Sequence, residues 1–157
     1  MRVALLPPTN EPLHLEVCTF AAMTDRRAAA AAAVRDVLQR FDDALERNDV
    51  EGALDLCTED VVFIGSGEGE QAVGRKAIVE MAMRLADRAS DTQFRVADAT
   101  FDIDVQGDVA LFTSFGTAHL RSQRALREGP YRLTGVLVRR AGTWKLRVHH
   151  GSEPLAW

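Results

Sequence analysis

Apolar positions recur along this chain with two periods, and the change from one to the other divides it into a helical first half and a strand-rich second half. Val34, Val37, Leu38, Phe41 and Leu45 fall at helical spacing and follow an alanine-rich, helix-favouring stretch that begins at Ala28. They predict an amphipathic first helix. Asn48-Asp49 breaks the pattern, and a short second helix follows, with Asn48 as its cap, Glu51 three residues on, and Leu54, Leu56 and Cys57 available for burial. Val61-Val62-Phe63-Ile64 is β-branched and aromatic and predicts a strand that stops in the turn-forming run Gly65-Ser66-Gly67-Glu68-Gly69. Gly74 precedes a third helix over Arg75 to Ala89, in which Ile78, Met81, Ala82 and Leu85 share a face.

Beyond Asp91 the period becomes two. Ala97, Ala99, Phe101, Ile103 and Val105 alternate with Asp98, Thr100, Asp102 and Asp104, which gives a strand with one wet face. Gly107-Asp108 turns the chain into a nearly continuous apolar and threonine-rich strand, Val109 to Arg121, whose alternation leaves its inward face open. A polar loop, Ser122 to Gly129, leads to a strand over Tyr131 to Arg140, and Ala141-Gly142 joins that to a last strand over Thr143 to Pro154. Helices first and hairpin-connected strands after them predict an α+β fold, with an antiparallel sheet and its helices gathered on one face.

The last strand carries the most distinctive pattern. Strict alternation puts Trp144, Leu146, Val148, His150 and Ser152 on one face, apolar until its far end turns polar. A three-residue loop, Arg140-Ala141-Gly142, needs a positive φ only at glycine, and counting back from it pairs Val138 with Trp144, Val136 with Leu146, Thr134 with Val148 and Arg132 with His150. Arg132, Thr134, His150 and Ser152 then form a polar patch suited to a carboxylate, phenolate or enolate oxygen, or else Arg132 simply pairs with Glu153 or a loop carboxylate. His150 and Arg132 are the candidate catalytic groups of that patch. The carboxylates Asp98, Asp102 and Asp104 lie on a wet face, so no buried general base is evident.

Composition narrows the classes. A chain of 157 residues, 46% hydrophobic, forms one domain with a substantial core. The net charge of -4 and pI near 5.6 argue against nucleic acid as a partner. No apolar run approaches the roughly 20 residues of a membrane span, so no membrane partner is expected. Cys18 and Cys57 are too few for a disulfide framework and lack metal-ligand spacing, which fits a reducing cytoplasm. Residues 1–27, with Pro7, Pro8 and Pro12 and no helical period, form an extension ahead of the domain at 28–157; it is either an upstream stretch before a start at Met23 or an arm that packs on a neighbour.

Nucleotide and metal motifs fail on inspection. Gly65-Ser66-Gly67 has Glu70 where a dinucleotide fingerprint needs its third glycine, and Gly69 to Lys76 has Arg75-Lys76 where a phosphate loop needs Lys-Ser/Thr. His149 and His150 are strand neighbours facing opposite ways, so they cannot close on one metal ion. Neither a metal nor an organic cofactor is expected. No Gly-x-Ser-x-Gly elbow surrounds Ser66, Ser114 or Ser152.

The element order, the segment Asp60-Val-Val-Phe-Ile-Gly-Ser-Gly with Gly74-Arg75 after it, and the ending Trp144-x-x-x-x-x-His150-x-Ser152 resemble the SnoaL-like branch of the NTF2-like superfamily, over roughly Ala28 to Pro154. The resemblance implies a cone-shaped α+β barrel: a curved antiparallel sheet wraps around the long first helix, encloses a pocket, and often packs sheet to sheet in a homodimer. The closing His150 and Ser152 match the pattern of this branch, with Arg132 and Trp144 as pocket neighbours, and Thr134, Val148, Phe63 and Phe41 complete the expected ligand-binding set. The pocket aspartate and oxyanion-binding tyrosine of the ketosteroid isomerases are not read here, because Tyr131 faces away from the patch in the register above. Three functions follow in order: a homodimeric binding protein for a small apolar or aromatic molecule; a polyketide cyclase- or isomerase-type enzyme using His150 as acid or base; and a protein-interaction module.

Overall fold

The computed structural model describes residues 14–88, 93–121 and 126–154. Residues 1–13 of the N-terminal segment, residues 89–92, the first part of the loop expected at Ser122 to Gly129, and residues 155–157 lie outside them. The order is α1 (His14–Glu46), α2 (Val50–Asp55), β1 (Cys57–Ile64), β2 (Gln71–Val73), α3 (Arg75–Arg88), β3 (Gln93–Gln106), β4 (Val109–Arg121), β5 (Leu126–Arg140) and β6 (Thr143–Ser152). The fold is α+β, as the pattern predicts, with the short strand β2 added.

Helix α1 begins well before Ala28, inside the segment read as lacking a helical period. Its apolar stripe is buried as predicted at Val34, Val37, Leu38 and Phe41. Two arginines strap it to β3: Arg27 Nε donates to the Val105 carbonyl at 3.1 Å, and Arg35 Nη2 donates to the Phe101 carbonyl at 3.2 Å. Asp49, not Asn48, caps α2, its carboxylate accepting from the Gly52 amide at 2.9 Å. Asn48 instead takes a left-handed φ of 56°, a conformation that asparagine tolerates better than most residues.

The strands form one sheet in the order β2-β1-β6-β5-β4-β3, unclosed because β2 and β3 are both edges. It is mixed rather than wholly antiparallel: β1 runs parallel to β6. That pairing follows from the crossover through α3 and the β3–β5 meander, which brings the last strand back beside the first. Arg75 fixes the start of α3, donating to the Leu54 carbonyl at 2.6 Å and to Asp55 at 3.1 Å. The Gly74-Arg75 pair is thus a clamp on the end of α2.

The hairpin between β5 and β6 corrects the expected register. Arg140 pairs with Thr143 across a two-residue turn, so Ala141 adopts φ 49° and Gly142 φ 81°. The turn that matches strand twist wins over the steric preference of alanine. Arg147 is then the extra residue of a bulge: Leu137 faces Leu146 whereas Val136 faces Val148. This bulge reverses the alternation. Trp144 and Leu146 point into the core, but beyond Arg147 it is His149 and Gly151 that are buried, while His150 is exposed.

Candidate functional site

A cavity of about 1340 Å³ opens between α1, α3, the β1–β2 hairpin and the inner face of the sheet. Its walls are mostly apolar, with Phe41 and Leu45 from α1, Ile78, Met81 and Leu85 from α3, and Phe63 from β1. The glycine-rich hairpin borders it through Gly65, Ser66, Gly67 and Glu70. Against this lining stand Asp42, Tyr131 and His149.

Asp42 occupies the apolar stripe of α1, four residues after Leu38 and three before Leu45, so the helical period carries a carboxyl into the cavity wall. Burial, helped by the charge of Asp43, raises its pKa from 3.8 to about 7. A carboxyl tuned near neutrality can both take and return a proton at physiological pH. The expectation that no carboxyl borders the pocket is therefore corrected: a half-buried one does, and it comes from the helix, not from a strand.

Tyr131 reaches the cavity through strict alternation on β5, where Tyr131, Leu133 and Leu137 are buried and Arg132 and Thr134 are exposed. Its ring crosses β6 at Gly151, where a Cβ would come within 2.2 Å of the phenolic oxygen, so glycine is what makes the space. Phe94 meets the ring edge-on at 5.4 Å, and Ser66 hydrogen-bonds to its side chain. Burial keeps the phenol protonated, its pKa raised further by Glu70 and Glu153 and opposed by the Ser66 bond. Ser66 Oγ in turn donates to Glu153 Oε1 at 3.3 Å.

His149 takes the inward place predicted for its neighbour. Its ring stacks on Phe63 at 5.0 Å and 5° and meets Phe41 at 5.3 Å and 43°. It is 6% exposed, and burial, with the nearby His150, lowers its pKa to about 4, so it is uncharged at neutral pH. Its Nδ1 is buried and has no hydrogen-bond partner among the described residues. The carboxylates bordering the cavity are Asp42, Asp43, Glu46, Glu51, Glu70, Glu128 and Glu153, against the cations Arg95 and Arg127.

Of the ligand-binding set read from sequence, Phe41 and Phe63 line the cavity. Arg132, Thr134, His150 and Ser152 do come together, with Arg132 opposite Ser152 and Thr134 opposite His150, but on the other side of the sheet. There Arg132 donates to the Glu153 carbonyl at 3.3 Å, and Thr134 Oγ1 lies 3.4 Å from His150 Nδ1. His150 and Arg132, read as the candidate catalytic groups, are thus not among the residues that line this cavity. Val148 stands beside Val136 on that outer face, half-buried. Trp144 is buried beneath the Arg139 guanidinium, which lies 5.4 Å from its ring centroid.

A family profile described as a SnoaL-like domain matches residues 34–156. No curated protein matches the chain. Among solved structures, the chain is 25% identical to a protein from Catenulispora acidiphila in complex with S-DNPA, with a TM-score of 0.70 over 81% of this chain and 95% of that one. An NTF2-like protein of unknown function from Pseudomonas putida KT2440 is 21% identical, with a TM-score of 0.68 over 82% and 89% of the two chains. ActVI-ORFA from Streptomyces coelicolor is 23% identical, with a TM-score of 0.66 over 80% and 97%. No helix of the described residues is long and apolar enough to cross a membrane.

Proposed function

Since this chain belongs to the SnoaL-like domain family, we propose that it binds a small, largely apolar or aromatic carbonyl compound in the cavity and relocates a proton on it. Asp42 is the base and Tyr131 the oxyanion donor of this reading. The carboxylate of Asp42 takes a proton from the carbon beside the carbonyl, the electron pair moves to the carbonyl oxygen, and the Tyr131 O–H hydrogen-bonds the enolate. The protonated Asp42 then returns its proton to the γ-carbon of a conjugated dienolate as the isomer forms, to a β-hydroxyl that departs as water when its C–O bond breaks, or to the alkoxide left when the enolate carbon bonds to a second carbonyl carbon of the same molecule. Cyclase, dehydratase and isomerase outcomes differ only in that last step.

The observation that carries the proposal is the Asp42 carboxyl, held in an apolar cavity wall with its pKa raised to about 7. The Catenulispora acidiphila relative, solved with S-DNPA, supports small-molecule binding by this fold. On the outer face, exposed Val109, Leu111 and Phe115 beside Val136 support pairing of two copies sheet to sheet. The buried free thiol of Cys57 is in keeping with a cytoplasmic setting.

The test is proton exchange. With 2-tetralone in deuterated buffer, the wild-type protein is expected to accelerate loss of the α-proton signal, and Asp42→Asn to reduce that acceleration by at least about 100-fold. Exchange at the buffer rate with wild type, or an unaffected Asp42→Asn variant, would refute the assignment.

A further inference from the structure

Three strands bring their ends together around one serine at the edge of the cavity. Ile64 pairs with His150 where β1 runs parallel to β6, so Ser66, two residues on, comes level with Ser152 and next to Glu153. Arg132 faces Ser152 from β5, which brings its chain neighbour Tyr131 to the same level. Ser66 stands between two glycines that make room for a carboxylate, since a Cβ at Gly65 or Gly67 would strike the Glu70 side chain. The Gly65 N–H donates to the Glu70 carbonyl at 2.7 Å, the Gly67 N–H to Glu70 Oε2 at 3.0 Å, and the Glu70 N–H to the Gly67 carbonyl at 3.2 Å. Ser66 is therefore presented by a fully bonded turn.

Counting protons shows what that serine does. Its hydroxyl has one proton to give, and its Oγ is bonded both to Glu153 Oε1, at 3.3 Å, and to the Tyr131 hydroxyl. A carboxylate only accepts, so while Ser66 donates to Glu153 the phenol supplies the proton of the second bond and turns only lone pairs toward the cavity. Donation from Tyr131 to a ligand oxygen undoes this arrangement. The phenolic proton leaves Ser66, negative charge gathers on the phenol oxygen, and the Ser66 hydroxyl is free to rotate about its C–O bond and donate to it. Little opposes that rotation, because the bond to Glu153 is long and exposed and water replaces Ser66 there.

We infer that Ser66 is a positioning residue for Tyr131: its hydroxyl is held on Glu153 while the phenol donates to Ser66, and it swings to the phenol oxygen when charge gathers there. It strengthens Tyr131 as a donor exactly when an enolate needs one, without touching the ligand. That use rests on Tyr131 as the oxyanion donor proposed above, whereas the turning of Ser66 does not.

Tyr131 is the one tyrosine of the chain, so its ionisation is read alone. The full chain is labelled with 3-fluorotyrosine, whose phenol ionises at milder pH, and its single ¹⁹F resonance is followed against pH. Ionisation places on the oxygen the charge that Ser66 serves. Ser66→Ala is expected to raise the midpoint by at least about 0.5 pH units, and Ser66→Thr, which keeps the hydroxyl, to stay within about 0.2 of wild type. Glu70 and Glu153 are the carboxylates acting on the phenol. Glu153→Gln removes both a negative charge and a competitor for the Ser66 proton, so the midpoint is expected to fall at least about twice as far as it does in the Ser66→Ala background. In tetralone exchange, Ser66→Ala is expected to lower the saturated rate about fivefold and to move half-saturation less than about twofold. An unmoved midpoint in Ser66→Ala, a threonine variant that behaves like alanine, or equal Glu153→Gln shifts in both backgrounds would overturn the inference. The expected midpoints with no exchange by wild type would refute the proposed reaction and support the turning of Ser66. Exchange intact with an unmoved midpoint removes the role of Ser66 alone.

Discussion

Asp42 and His149 pull the pH dependence of folding in opposite directions. Asp42 binds its proton more tightly folded than unfolded, so its contribution to stability falls as pH rises from 3.8 to about 7. The full shift corresponds to at most ~4 kcal/mol, less with solvent screening. His149 has a depressed folded pKa, so the unfolded chain takes up a proton that the folded one refuses, and stability falls as pH drops from 6.5 to about 4. The two slopes oppose each other across the window they share. Urea unfolding of Asp42→Asn is therefore expected to show stability rising with pH between 4 and 6.5, with a gain of ~1–3 kcal/mol over wild type at pH 8. His149→Phe is expected to show the reverse slope, and identical profiles for both variants would contradict the two assignments. At Gly151, alanine would drive a Cβ into the Tyr131 ring, and ~1–3 kcal/mol of lost stability is expected from thermal unfolding of Gly151→Ala.

Strand β6 shows where element-level reasoning from sequence holds and where it stops. Its existence, its antiparallel partner and the burial of Trp144 and Leu146 all follow from alternation and turn residues. The identity of the inward histidine does not, because the bulge at Arg147 is set by pairing with both β5 and β1, and no local signal in Leu-Arg-Val announces it. Asp42 was missed because carboxylates were sought on the strands alone, although its place at helical spacing between Leu38 and Leu45, an acid on an apolar stripe, was a signal that could have found it. Tyr131 also follows from alternation, once the buried face of β5 is known to carry the cavity rather than the Arg132 patch. The turn offers a direct check. Ala141 holds a φ of 49°, so Ala141→Gly is expected to raise stability by about 0.5–1 kcal/mol with the register unchanged. A loss of stability would favour the three-residue loop instead.

At the scale of the whole molecule, two surfaces of one sheet are put to different uses. The inner face, with α1 and α3, forms the cavity; the outer face exposes Leu111 and Phe115, which are 51% and 64% accessible. Burying that strip against a second copy predicts a two-chain mass in analytical ultracentrifugation, and Phe115→Glu is expected to yield single chains. A single-chain mass for wild type would remove the pairing. The cavity itself belongs to no one element, since α1, α3, the hairpin and the sheet each supply a wall, and only their joint closure gives Asp42 its environment. Titrating the Asp42 carboxyl carbon by ¹³C NMR in the intact protein therefore tests the account most directly. A midpoint near pH 7 is the predicted result, and a midpoint near 3.8, the ordinary value for aspartate, would contradict it.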